Sequence, residues 1–173
     1  MLNNDLSDTA ARAECKRLLI VISSQRSHQN RWFSQDSSGT VEFDENSAFA
    51  MGMNALFRYA RGEAVPPAIV MDFLDDLLKL MFCGIANNTM ALPPFKRMSD
   101  RPWAVAWRLA ELRLAFEGHE SMDASQLAHL LGVPQNNIST QLVDAGYEPD
   151  QPIPEAFLKD VYNTLKNISQ NQD

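Results

Sequence analysis

Six of the seven residues from Gln135 to Gln141 carry an amide or a hydroxyl: Gln135, Asn136, Asn137, Ser139, Thr140 and Gln141. A primary amide offers a donor and an acceptor side by side, the pairing that fits the exposed edge of adenine in a major groove. Serine and threonine hydroxyls reach bases or phosphates. Grouped on one helix face, these side chains can read a hydrogen-bonding surface. The same composition also suits a plain solvated face, because polar groups in water cost nothing. The chemistry on offer is recognition and not bond making.

Other groupings point elsewhere less well. His119, Glu120, Asp123 and His129 are close in sequence. The two histidines do not stand three or four apart, so no single helix face aligns them as metal ligands. Asp72, Asp75 and Asp76 lack a histidine or further ligand and read as the wet side of a helix. Arg26, His28, Arg31 and Trp32 form a basic-aromatic cluster of the kind that stacks bases and holds phosphates. It reads equally as a solvated loop with Trp32 and Phe33 tucked against the core. Cys15 and Cys83 are single thiols beside apolar stripes, expected to be buried and reduced. With no phosphate-cradling glycine loop, serine nucleophile elbow or paired zinc spacing, the expectation is a protein that is not an enzyme and uses no metal or cofactor.

The amides need an element to hold them, and the residues before them supply one. Asp123 is a good N-cap, and Gln126, three residues on, can return a hydrogen bond to it, so a helix is expected from about Ala124. Leu127, Ala128, Leu130 and Leu131 give that helix an apolar face. Gly132 allows a sharp left-handed turn, and Pro134 suits the first turn of a second helix. Ile138, Leu142 and Ala145 recur at roughly helical spacing before Gly146 ends the run. Residues 123–146 thus resemble the helix-turn-helix of phage-repressor-like regulators. The small Ala128, the glycine four places later and the branched Ile138 six beyond that match the family pattern. The next family position is normally apolar and is here Gln141, with Leu142 one place along. The resemblance implies duplex DNA as partner, with the Gln135–Gln141 face towards the bases.

Charge works against that implication. The chain carries a net charge of −7 with 15 basic and 22 acidic residues. Between His119 and Asp150 there is no lysine or arginine, against Glu120, Asp123, Asp144, Glu148 and Asp150. Phosphate neutralisation supplies most non-specific nucleic-acid affinity, so cations must come from outside the motif. The candidates are Arg97, Arg101, Arg108 and Lys159, with Lys96, Arg113 and Lys166 nearby in sequence.

The rest of the chain reads as all-α, with six or seven helices. A first helix is expected from Ser7 or Asp8 into the low twenties, then a polar, turn-rich stretch over 23–46 with room for a short strand at Thr40–Phe43. Helices follow at about Ser47–Arg61 and from Pro66-Pro67 to about Phe82. The segment 84–98 reads as a hinge between an N-terminal unit (1–98) and a C-terminal unit (99–173). Ser99 or Asp100 should cap a Trp-containing helix through about Glu117, widely apolar and therefore central or part of a dimer seam. A last helix is expected over about Glu155–Ile168. No export signal or bilayer-spanning run is evident, and the cytoplasm is the expected location. Two functions fit: a dimeric transcriptional regulator binding duplex DNA, or an acidic protein–protein interaction module, of the phage or plasmid accessory or inhibitory kind, that meets a basic partner and does not bind DNA.

Overall fold

The computed structural model describes residues 5–33, 43–82 and 101–170, which form seven helices and no strand. They are α1 (Asp8–Phe33), α2 (Ala48–Ala60), α3 (Pro67–Phe82), α4 (Pro102–Phe116), α5 (Ala124–Leu131), α6 (Gln135–Asp144) and α7 (Glu155–Gln170). None of the described helices is long and apolar enough to cross a membrane.

The apolar breadth of α4 decides the architecture. Trp103, Ala104, Ala106, Leu109, Ala110, Leu112 and Leu114 point in several directions around this helix, and all are buried. Burying every side requires neighbours on every side. The chain provides them: α4 packs along α2 and α7, and touches α1 and α3. Trp103 and Trp107, one turn apart, meet edge to face at 5.9 Å. The indole N–H of Trp103 is buried with no hydrogen-bond partner among the described residues. One apolar cluster runs from Leu6 on the N-terminal side to Tyr162 in α7. The expected hinge over 84–98 lies outside the described residues, as do Cys83, Ser99 and Asp100.

The carbonyl end of α2 is where the helices are tied together. The last carbonyls of a helix have no partner within it. Here they receive side chains from two other helices. Arg113 of α4 donates from one guanidinium nitrogen to Tyr59 O (2.9 Å) and Glu63 O (2.8 Å). Tyr162 of α7 donates to Ala60 O at 2.9 Å, and Lys166 of α7 donates to Arg61 O at 2.6 Å. Arg113 also stacks over the Tyr59 ring at 4.1 Å and pairs with Glu117 at 2.7 Å. The Tyr59 hydroxyl reaches the same Glu117 carboxylate at 2.6 Å. Gly62, at φ +92°, makes the turn beneath this cluster, and a Cβ there would stand 3.1 Å from Lys166 Nζ.

Two expectations change, and a third falls almost wholly outside the described residues. The first helix does not stop in the low twenties but continues to Phe33. No glycine or proline stands between Ser23 and Phe33, so nothing breaks the helix once it loses its apolar face. Polarity alone does not signal a turn there. Arg26, His28, Arg31 and Trp32 are therefore on a helix and not in a loop. The expected strand at Thr40–Phe43 falls on undescribed residues except for Phe43, which is not in a strand. The Trp-containing helix begins later than expected. Arg101 occupies its N-cap without a side-chain cap bond, and Pro102 opens it, because the proline ring pushes the preceding residue out of helical geometry.

Two substitutions test this packing. A Cβ on Gly52 of α2 would lie 2.1 Å from the Phe73 ring of α3, so Gly52→Ala should cost about 2 kcal/mol in urea denaturation. Arg113→Ala strips charge-assisted bonds from two carbonyls and should cost about 3 kcal/mol in the same assay. An unchanged midpoint for either variant would contradict the contact concerned.

Candidate functional site

The helical pair α5–α6 forms by local chemistry. Asp123 Oδ1 accepts the Gln126 N–H at 2.8 Å, and Gln126 Oε1 accepts the Asp123 N–H at 2.8 Å, the reciprocal cap the residue types call for. Leu127, Ala128 and Leu130 are buried. Gly132 then adopts φ 67°, ψ 31°, while the Val133 N–H bonds to Ala128 O at 3.0 Å, closing the helix with a left-handed residue. Pro134 is the N-cap of α6, one place earlier than a first-turn position, with φ −61° and ψ 139°. Proline has no side-chain acceptor, so the first N–H groups of α6 carry no side-chain cap.

The amide face is presented to solvent. Ile138 and Leu142 are the buried residues of α6, so the core closes through Leu142 where the family pattern would use the neighbouring position. Gln141 is exposed, and so is Ala145, which caps the helix instead of extending its apolar line. Gln135, Asn136, Asn137 and Thr140 are exposed with Gln141, while Ser139 is half-buried. The Thr140 hydroxyl donates to Asn136 O at 2.8 Å, a bond made within α6 at the exposed surface. The pair is joined to the body by the Ile153 N–H to Met122 O bond (2.8 Å) and by Tyr147 lying edge-on to Phe157 of α7 at 6.1 Å.

The cations are spread differently. Among the described helices, α6 packs extensively only with α5. Arg101 and Lys159 are exposed. Arg108 is half-buried, donates from Nε to Ala104 O at 3.3 Å, and is held below its ordinary pKa by burial. Arg113 and Lys166 are bound to the end of α2 and are not turned outward. Arg97 lies outside the described residues.

Sequence reasoning passed over Glu111. It is the acid one turn after Trp107 on the most buried helix, and its carboxylate accepts the Trp107 indole N–H. A cavity of about 410 Å³ opens beside it between α4 and α5, lined also by Leu78 of α3. Enclosure by protein pushes the Glu111 carboxyl up to about 7; the indole bond opposes this, and the Glu120 carboxylate adds to it. Its being the one acid in the Pro102–Phe116 helix, one turn from Trp107, was the available signal. His119, Glu120, Asp123 and His129 do not converge. His119 stands 4.0 Å from Glu117, Asp123 caps α5, and Glu120 and His129 line the cavity. Among the described residues, no group of three or more histidine, cysteine, aspartate or glutamate side chains could hold a metal ion.

Comparisons with protein-family models, with characterised proteins and with solved structures give no match.

The raised Glu111 carboxyl has a pH consequence. The folded state holds this proton more tightly than the unfolded chain, so the contribution to stability is complete below about pH 4.5 and is lost as pH rises through about 7. Glu111→Gln keeps an acceptor for Trp107 and cannot ionise. Its stability relative to the parent should rise between pH 5 and pH 8 by up to about 2–3 kcal/mol, measured by urea denaturation at both values. A pH-independent difference would contradict the burial of this carboxyl.

Proposed function

We propose that α5 and α6 form a helix-turn-helix and that the chain is a transcriptional regulator reading duplex DNA through α6, acting as a dimer. The observation that carries this reading is the open face of α6. Gln135, Asn136, Asn137, Thr140 and Gln141 are exposed together on a helix that only Ile138 and Leu142 anchor. Such a helix can enter a major groove without clashing with its own protein, and its amides can pair with adenine edges. The uncapped N-terminus of α6 adds a second kind of contact. Its free N–H groups and positive dipole end can receive a phosphate oxygen, which offsets some of the missing cationic charge. A two-fold dimer would double a weak half-site contact and match a palindromic site.

A specific observation favours a second reading. The five carboxylates between His119 and Asp150 have no lysine or arginine among them, and Arg113 and Lys166 face the end of α2. An acidic flank of this kind suits a basic protein partner better than a polyanion. On that reading the helical pair is an interaction module that does not bind DNA.

Selection from random duplexes at about 50 mM salt, repeated at about 200 mM, separates the two. The DNA reading expects an enriched motif whose preference is lost in Asn136→Ala and Thr140→Ala. Phosphate contacts come from a few exposed groups such as Arg101 and Lys159, so the slope of log affinity against log salt should be shallow, about −3 to −5 for a dimer. Arg101→Gln should flatten it further. No enrichment at the lower salt from folded protein would reject DNA binding and leave the basic-partner reading.

A further inference from the structure

The cavity between α4 and α5 has a chemical character that neither functional reading uses. Its volume of about 410 Å³ falls within the range of roughly 300–1,000 Å³ usual for small-molecule sites. Leu78, Trp107, Met122 and Leu130 contribute apolar wall, while Glu111 and Glu120 contribute carboxylates. No lysine or arginine is among the described residues that line it.

Each class of occupant can be weighed against that lining. An anion meets two carboxylates, with no opposing lysine or arginine among the described lining residues. A neutral apolar molecule fills the space and strips water from Glu111 without replacing the lost solvation, which is costly for an ionised group. A bare metal ion needs a shell of oxygen or nitrogen ligands. Glu111, Glu120 and His129 line the cavity, yet among the described residues no group of three histidine, cysteine, aspartate or glutamate side chains could hold a metal ion. An organic ammonium satisfies every part of the lining. Its charge compensates Glu111, its N–H groups donate to carboxylate oxygens, and its carbon body covers the apolar wall.

We propose that this cavity is a binding site for a small organic cation, an amine carried on an apolar or aromatic body. Glu111 is the charge partner, set on the α4 side beside the Trp107 indole. Glu120 contributes a second carboxylate, and Ser125 and His129 of α5 contribute further polar groups. A bound amine therefore contacts α4 and α5 at once and fastens the helical pair to the body. The assignment rests on the cavity alone and holds whether α6 meets DNA or protein.

Calorimetric titration of the full chain at pH 8 tests it, with an indole series of three charges and a second, phenyl-bearing amine. Tryptamine and phenethylamine are the cations, tryptophol (indole-3-ethanol) the neutral counterpart and indole-3-acetate the anion. At least one amine should bind about ten-fold or more tightly than the alcohol and the acid. Glu111→Gln should remove most of that preference, and Glu120→Gln a smaller part. The Glu111→Gln chain is expected to be at least as stable as the parent at this pH, so lost binding there cannot be assigned to unfolding. Three outcomes overturn the proposal: no heat from either amine up to its solubility, equal binding across the series, or a preference that survives Glu111→Gln.

Discussion

Four backbone carbonyls at the end of α2 organise this protein. Tyr59, Ala60, Arg61 and Glu63 each present an oxygen to a donor from α4 or α7. Carbonyls left unpaired inside a protein cost about 1–3 kcal/mol each, and the helix dipole concentrates negative charge at that end. Cations and a phenol answering them therefore fix where α4 and α7 cross α2. The arrangement is over-determined: Arg113 is also held by its pair with Glu117 and by the Tyr59 ring. Breaking one contact leaves others that still specify the same geometry.

That anchoring constrains what the rest of the chain can do. Arg113 and Lys166 are among the few cations near the α5–α6 pair in sequence, and the fold commits both to structure. The pair is thus left with an acidic flank, an open amide face and a helix terminus without a side-chain cap. Any partner must be engaged mainly through hydrogen bonding and shape, with electrostatic attraction supplied by a small number of exposed groups. The proposed dimer would matter under this condition, because weak single contacts multiply when two are linked.

The position of Glu111 follows from the same packing. A helix surrounded on all sides has no wet face to give its acids, so the one at this position is enclosed by neighbours. Among the described residues the indole N–H of Trp107 and the adjoining cavity soften its environment. Natural sequences tolerate such local conflicts chiefly where something other than stability is served. The cavity at this carboxyl is the reason to look for a ligand there.

Much of this was written in local residue types. Asp123 and Gln126 specify a reciprocal cap, Gly132 a left-handed turn, and Ile138 with Leu142 the buried side of α6; all act over a few residues, where chain connectivity already brings partners together. The helical class follows likewise from apolar spacing, and the breadth of apolar positions on α4 predicts its central place. Positions 23–33 misled because polarity cannot distinguish a turn from a solvated helix when neither glycine nor proline is present. The fate of the cations was illegible for another reason. Arg113 and Lys166 meet α2 carbonyls about fifty and one hundred residues away in the chain, and no local pattern encodes which distant acceptor a flexible side chain will find. Glu111 likewise became enclosed only when α3 and α5 closed around α4. The sequence by itself determined the helical class, the reciprocal cap of α5 and the amide face; tertiary packing decided which charges face water, because burial depends on neighbours the local chain does not contain.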